Sequence, residues 1–465
     1  MFIKKLIGDR AFYRRVLAVA VPIMIQTGIT NLVNLIDNIM VGSLGTEQMS
    51  GVSIVNQFLF VFTLLIFGTS AAGGIFTAQY YGKADVGGVQ FTFRFKFWVN
   101  LIAGVLGVGV FLLAGDRFIG SFLYEGSQSG DLALTLGFGQ EYLKIMLVGL
   151  IPYALSQAYC TTLRETGHAV IPMAAGFVAV GVNVFLNYVL IFGKFGVAPM
   201  GVAGAALATV FSRFAELFFV VLWTHCHPRR CPWNQKAFSR LYIPAGLFGK
   251  IAAKGLPLTV NEVLWASSVT LRNQCYATRG IETVAALNIS TTVVNMFGVV
   301  YMAVGHALAV MVGHHLGAGR LKEAKDTATK MITFSFLCAV GMGLLLVAGA
   351  GLFPSLYNTD ASVRALAGYA MMISAAFFPF HALSHSSYFA LRTGGRVGVT
   401  FLLDSGFMWA VVVPTCLLLS RFTAMPIHWL FVCGQAVEGL KAALSLLLLQ
   451  RVQWVRRLVG SQTKQ

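Results

Sequence analysis

Residues 16–41 read VLAVAVPIMIQTGITNLVNLIDNIMV, and Asp37 is the only charged side chain among them. About 20 mostly apolar residues are enough for a helix that crosses the hydrocarbon core of a bilayer. Basic residues precede this stretch, but it is too long for the apolar region of a cleavable signal and shows no clear small-residue cleavage site. We therefore expect it to be a transmembrane helix that the chain retains.

The same apolar pattern continues along all 465 residues, of which 57% are hydrophobic and only 11% are charged. Soluble domains carry about 25% charged residues, so this chain has too few to cover a water-exposed surface. Strands of a membrane barrel would instead give short alternating segments. The sequence therefore predicts an all-α polytopic membrane protein with twelve transmembrane helices, at about 16–41, 52–80, 95–115, 134–160, 169–192, 200–224, 252–277, 285–313, 328–350, 364–390, 397–420 and 426–450.

The net charge of +17 indicates membrane topology rather than a nucleic-acid partner, because the lysines and arginines lie mainly between the apolar runs. Most of them fall on one side, which includes the N-terminus, the long loop 225–250, the C-terminus and shorter loops predicted to hold Arg94, Lys96 and Arg392. We therefore expect both termini to face the cytoplasm. Cys226 and Cys231 lack C-x-x-C spacing, so we interpret their loop as basic and cytosolic rather than as a metal site.

An internal repeat is the most informative feature of the chain. When the chain is compared with itself at a shift of 235 residues, Pro22 falls on Pro257, Asn38 on Asn273, Gly45 on Gly280, Glu47 on Glu282, Ile54 on Ile289 and Gly82 on Gly317. Shifts of 227–228 and then 222 residues continue this alignment towards the C-terminus. The repeats hold six helices each and are therefore parallel. We predict an N-lobe over 1–224, a cytoplasmic linker over 225–250 and a C-lobe over 251–465. Two such lobes around a central cleft are typical of transporters, although duplication can also merely enlarge a scaffold.

Asp37 is the candidate ion-coupling residue of the first repeat. A charged group at bilayer depth costs about 2.5–3.5 kcal/mol on insertion scales, so its presence requires a reason. Asn34 shares its helix face, and Asn183 and Asn187 share a face of helix 5 by their i, i+4 spacing. A carboxylate beside amide groups can hold a proton or a hard cation, so Asp37 is also a candidate Na⁺ ligand. The alternative is an aspartate that serves helix packing alone.

Glu262 is the candidate substrate-site acid of the second repeat. It lies near the middle of helix 7, next to Asn261 and about one turn from the aromatic Trp265. Aromatic surface beside an acid suits a lipophilic organic cation. Tyr301 and His381 are further candidates for the cavity lining, and each is equally compatible with a place in the core.

The remaining charges of the second repeat allow several pairings. Arg272 occupies the position in the second repeat that is equivalent to Asp37. It lies about 15 Å along helix 7 from Glu262, too far to neutralise that carboxylate directly. It could meet Asp37 across the cleft or serve Asp404 of helix 11, and the sequence leaves both open. Glu438 and Lys441 are spaced i, i+3 on helix 12, which predicts a self-satisfied structural pair.

Five short motifs at these positions give the chain a resemblance to a known family, the bacterial-type multidrug and toxic compound extrusion (MATE) transporters. The resemblance covers nearly the whole length. It rests on Pro22, Asp37-Asn38-Ile-Met-Val-Gly42-x-x-Gly45, Gln79-Tyr-Tyr-Gly82, Leu163-Arg164-x-x-Gly167 and Pro257-x-x-x-Asn261-Glu262-x-x-Trp265.

The resemblance implies secondary export of amphipathic, often cationic, organic compounds by antiport with H⁺ or Na⁺, with no other cofactor. It further implies a multi-pass inner-membrane protein, and we expect a monomer. The residue that matches the family's helix-1 coupling acid is Asp37. Asn183 and Asn187 match the helix-5 polar pair of the same cluster, with Thr209 of helix 6 a weaker match. Glu262 matches the helix-7 acid of the C-lobe cavity.

This chain departs from the family pattern at two positions. Archaeal-type members carry Asp where this chain has Asn187, and some sodium-coupled members carry Asp near His381. Asp404 is a partial replacement for the missing acids. The main alternative function is a flippase for a lipid-linked intermediate. A flippase needs a cationic cleft, and Arg272 alone is weak evidence for one. An enzyme is disfavoured because the chain has no H-E-x-x-H or nucleophile motif.

Overall fold

The computed structural model describes residues 6–122, 132–239, 242–357 and 359–460, and within these ranges the regular secondary structure is helical. Each of the twelve predicted spans is a helix, which confirms the predicted fold class. The helices are α1 Arg10–Gly42, α2 Thr46–Gly82, α3 Val86–Phe122, α4 Leu132–Glu165, α5 Val170–Phe192, α6 Gly201–Cys226, α7 Ala245–Ala277, α8 Ile281–Gly317, α9 Leu321–Gly349, α10 Ala361–Thr393, α11 Val397–Phe422 and α12 Ile427–Arg451. Several extend beyond the apolar core that identified them.

Eleven of the helices in the described ranges are long and apolar enough to cross a membrane. The exception is α7, which has 33 residues but a more polar sequence. Its apolar run is interrupted by Lys254, Asn261, Glu262 and Arg272. Because polar groups inside a span mark functional positions, α7 is the helix in which a site is expected first.

Helix α11 is not uniform. Its first turn, Val397–Phe401, is α-helical, and two π-helical segments, Leu402–Gly406 and Met408–Val412, follow before the α-helical end Val413–Phe422. Pro414 has no backbone N–H, so the usual hydrogen bond to the carbonyl four residues earlier cannot form. π-helical turns are rare and are frequent at functional sites, and Asp404 lies within the first one.

The chain forms two compact units. Unit 1 comprises the described residues up to Met24, Ala78–Ala84 and the described residues from Val260 onward, and unit 2 comprises Ile25–Thr77 and the described part of Asp85–Thr259. Each has an apolar core of its own, around Leu308 in unit 1 and around Val55 in unit 2. The predicted lobe boundaries at 224 and 251 stay a prediction.

The linker loop after α6 is folded against α3 within unit 2. Arg94 is 5% exposed and donates hydrogen bonds to three linker carbonyl oxygens, those of Lys236 at 3.1 Å, Ala237 at 2.6 Å and Tyr242 at 3.1 Å. Trp233 of the same loop is 2% exposed. The prediction that Arg94 lies in a loop was wrong, because its guanidinium is buried by the linker that it binds.

Two further basic residues are also inside helices rather than in the predicted loops. Lys96 is fully buried in α3, and its ammonium lies 2.7 Å from a carboxylate oxygen of Glu165. Arg392 lies in the last turn of α10 and is 4% exposed. The predicted loop positions of Lys96 and Arg392 were wrong because each basic group has an acidic partner on another helix, which hydropathy does not reveal.

Close backbone contact within unit 1 gives a stability prediction. A Cβ atom at Gly317 would overlap the backbone carbonyl of Gln79, closer than any real Cβ contact. Backbone cannot move aside as a side chain can, so we expect Gly317→Ala to cost about 3 kcal/mol of stability, the upper end of the usual overpacking range. Thermal unfolding in detergent measures the loss. Gly341→Ala is the control, because nothing lies within 4 Å of its added Cβ. Equal unfolding temperatures for the two variants would contradict this close approach.

Candidate functional site

Three helices of unit 2 bring a polar cluster together around Asp37. Asp37 Oδ1 of α1 accepts a hydrogen bond of 2.6 Å from Asn187 Nδ2 of α5. The same Nδ2 donates to Asn183 Oδ1 at 3.2 Å, and Asn183 Nδ2 donates to Thr209 Oγ1 of α6 at 3.3 Å. Four of the five residues predicted for this site are therefore connected. Asn34 is exposed on α1 and takes no part in the described hydrogen bonds.

The Asp37 cluster contains an unsatisfied acceptor. Asn187 is 1% exposed, and its Oδ1 is buried without a hydrogen-bond partner in the described part of the chain. Leaving a buried acceptor unpaired costs about 1–3 kcal/mol. A carboxylate next to a free amide oxygen is an oxygen donor set of the kind that hard cations prefer. In the described residues, no three or more His, Cys, Asp and Glu side chains are grouped so that they could hold a metal ion, so a cation here would depend on neutral oxygens as well as on Asp37.

Asn261 is the centre of a second cluster, in unit 1. Its Nδ2 donates to Asp404 Oδ2 at 3.0 Å, and its Oδ1 accepts from Ser405 N at 3.3 Å and Ser405 Oγ at 2.8 Å. Asn261 thereby connects α7 to the first π-helical segment of α11. Asn261 Nδ2 also donates to Tyr388 Oη at 3.5 Å, so the side-chain amide makes two donations and accepts two bonds, and it fixes the position of the Asp404 carboxylate.

Three ion pairs link α7, α10, α11 and α12 around this second cluster. They are Glu262–Arg392 at 3.7 Å, Asp404–Lys441 at 2.5 Å and Glu438–Arg272. Their side chains are 4–18% exposed, so all six lie in largely buried surroundings. Each acid of the cluster therefore has a basic partner on another helix, and the formal charges of the three pairs balance.

One predicted pairing in the second repeat was wrong, and one of the two pairings left open for Arg272 does not form. Glu438 does not pair with Lys441 on its own helix, and its Oε1 binds Arg272 of α7 instead. Lys441 instead reaches across to Asp404 of α11. Arg272 accordingly does not serve Asp404, which was one of the two pairings left open.

The described contacts of the other predicted lining residues are with groups other than Glu262. Trp265 packs at the edge of an apolar cluster, and Tyr301 packs at the edge of another. His381 Nε2 lies 3.0 Å from Gln435 Oε1, and its Nδ1 lies 3.4 Å from a carboxylate oxygen of Glu438. The contact of Gln435 with His381 and the pairing of Arg392 and Lys441 with acids of other helices were not predicted. Such contacts join different helices, and no local sequence pattern indicates which residues will face each other.

Comparison with protein families matches the chain to MatE over residues 22–189 and 257–414. The two segments begin 235 residues apart, which is the shift that aligns the predicted repeats. The chain belongs to the MatE family. The predicted resemblance and the parallel two-repeat organisation are thus confirmed.

Curated relatives and solved structures agree with the MatE assignment. The chain is 26% identical over 424 residues to "Probable multidrug resistance protein NorM" of Neisseria meningitidis, with 88% of each chain covered. It is 25% identical over 410 residues to "Multidrug resistance protein PmpM" of Pseudomonas aeruginosa, covering 87% of this chain and 83% of that one. Its fold matches an outward-facing multidrug resistance MATE family transporter with a TM-score of 0.85 at 19% identity, covering 96% of both chains.

Proposed function

We propose that this MatE-family protein exports drugs by antiport with H⁺ or Na⁺. Its relatives NorM and PmpM are named as multidrug resistance proteins, which supports the same activity here. The proposed substrates are amphipathic, often cationic, organic compounds, which the protein moves without changing them chemically. The proposed transporter is a monomer in the inner membrane, with both termini in the cytoplasm. Two repeats that alternately open a central cleft to each side would perform this export.

The observation that carries the coupling mechanism is the geometry of Asp37. Its carboxylate is held 2.6 Å from Asn187 Nδ2, while the oxygen of the same amide is buried without a partner. A proton or Na⁺ that entered this cluster would neutralise Asp37, and Na⁺ would also satisfy the amide oxygen. A neutralised Asp37 attracts a cationic substrate less strongly, so the entering ion and the drug compete for one charge. This competition couples inward ion movement to outward drug movement.

The flippase alternative receives less support from the charges of unit 1. A diphosphate headgroup requires basic groups that are not already neutralised. In the second cluster, Arg272, Arg392 and Lys441 each have an acidic partner. The cluster therefore offers balanced charge rather than a positive surface.

Transport by the purified protein in proteoliposomes tests the proposed function. A fluorescent lipophilic cation serves as the drug, and a proton gradient and a sodium gradient are imposed separately. We expect one of the two gradients to drive cation movement against the ion flow, and empty liposomes with the same gradients give the background. Equal rates with and without a gradient, for both ions, would refute antiport.

A further inference from the structure

Asp404 is held rigidly, whereas its partner Lys441 is held at one point. The Asp404 carboxylate is fixed from one side by Asn261 Nδ2 at 3.0 Å, and Asn261 is fixed in turn by Ser405. Within the described part of the chain, the Lys441 ammonium donates to Asp404 Oδ1. A lysine has a flexible four-carbon stem, so Lys441 is the member of the pair that can move.

A second acceptor lies one turn away from Lys441 on the same helix. Glu438 is spaced i, i+3 from Lys441, and side chains at this spacing are neighbours on a helix. Glu438 currently binds Arg272 and lies 3.4 Å from His381 Nδ1. A carboxylate has about four acceptor positions, so binding Arg272 leaves room for an ammonium as well.

The surroundings make an unpaired Lys441 costly. Its side chain is 13% exposed and that of Asp404 is 18% exposed. Removing one partner of a largely buried ion pair leaves an uncompensated charge, which is strongly destabilising. If Asp404 takes up another cation, Lys441 must therefore find a second carboxylate, and Glu438 is the one that its own helix supplies.

We propose that Lys441 is a two-position switch, whose ammonium leaves Asp404 for Glu438 when Asp404 takes up a proton, Na⁺ or the cationic group of a substrate. This inference rests on the proposed antiport, because it assigns a second exchange site to the same transport cycle. Lys441 acts there as a tethered cation that occupies Asp404 until an external cation replaces it. It thereby sets the affinity of the second repeat for cations, and a substrate must displace it to bind.

Unfolding of a double-mutant cycle tests whether Lys441 has two acceptors. Asp404→Asn and Glu438→Gln each leave Lys441 one carboxylate partner, whereas the double variant leaves it only neutral amide oxygens. We expect the melting temperature of the double variant in detergent to fall by at least about 4 °C more than the two single losses combined. Repeating the cycle in the Lys441→Gln background removes the charge that couples the two sites, so there the losses should add. Additive losses in the wild-type background would overturn the switch.

Binding of tetraphenylphosphonium to the full purified chain tests whether Lys441 competes with external cations. We expect Lys441→Gln to bind this cation about tenfold more tightly, since its internal competitor is gone, and Lys441→Arg to bind it as the wild type does. Adding Asp404→Asn to Lys441→Gln should remove the gain. Lys330→Gln is the matched control, because Lys330 forms an exposed pair of 2.7 Å with Asp326 on α9.

Different results would overturn the Lys441 switch and the proposed antiport. Unchanged affinity in Lys441→Gln would overturn the switch while leaving gradient-driven transport by the wild type intact. Absence of gradient-driven transport by the wild type would overturn the antiport, and the double-mutant cycle would still report on the two acceptors of Lys441. If Lys441→Gln does not fold, the cycle in the wild-type background decides the question alone.

Discussion

Asp37→Asn should lower gradient-driven drug export by about 100-fold or more while the protein stays folded. Asparagine has nearly the shape of aspartate, and its side-chain oxygen can still accept the hydrogen bond from Asn187. It cannot take up a proton or supply a charge for Na⁺, so the entering ion loses its site. The variant should therefore keep its melting temperature and lose coupling.

Export from proteoliposomes under an imposed gradient measures this loss, at equal protein incorporation for each variant. Glu141→Gln is the matched control, because it removes an exposed carboxylate from α4 of the same unit. We expect the control to export drug at the wild-type rate. If Asp37→Asn exported drug as fast as the control, the coupling role of Asp37 would be wrong.

The largest stability effect is expected from Lys96→Met. This substitution leaves the Glu165 carboxylate, whose side chain is 13% exposed, without the ammonium that now lies 2.7 Å away. Removing one member of a buried ion pair costs about 3–5 kcal/mol. We therefore expect a large fall in the melting temperature in detergent and a low yield of folded protein.

A double variant separates the loss of charge balance from the loss of packing. Lys96→Met together with Glu165→Gln removes both charges, and we expect it to recover most of the stability lost in the single variant. Lys330→Met removes the lysine of an exposed ion pair and should cost less than about 1 kcal/mol. Equal melting temperatures for Lys96→Met and Lys330→Met would show that the buried pair contributes no more than an exposed one.

The helices and the repeat could be predicted because their signals are local or regular. Hydropathy over about 20 residues identifies a span regardless of what it packs against. The repeat is visible because Pro22 and Pro257 head two similar segments of sequence, and the family matches begin at these same two residues. The ends of the helices could not be predicted from hydropathy, since polar residues such as Arg10 continue α1 beyond the apolar run.

Side-chain partners were predictable only where one helix face presents them. The i, i+4 spacing of Asn183 and Asn187 indicated a shared polar face, and both lie in the Asp37 cluster. Lys441 shows the opposite case, because its i, i+3 spacing favoured Glu438 whereas the structure pairs it with Asp404. That choice depends on the π-helical segment of α11 and on the approach of α11 to α12, neither of which a sequence pattern reveals.

Ion release on drug binding tests most directly whether a drug and the coupling ion compete at Asp37. The purified protein is mixed with tetraphenylphosphonium in weakly buffered solution, and released protons and released Na⁺ are measured in separate experiments. We predict that the wild type releases about one H⁺ or one Na⁺ for each drug molecule bound, and that Asp37→Asn releases neither. Drug binding by the wild type without release of either ion would contradict the competition on which the transport mechanism depends.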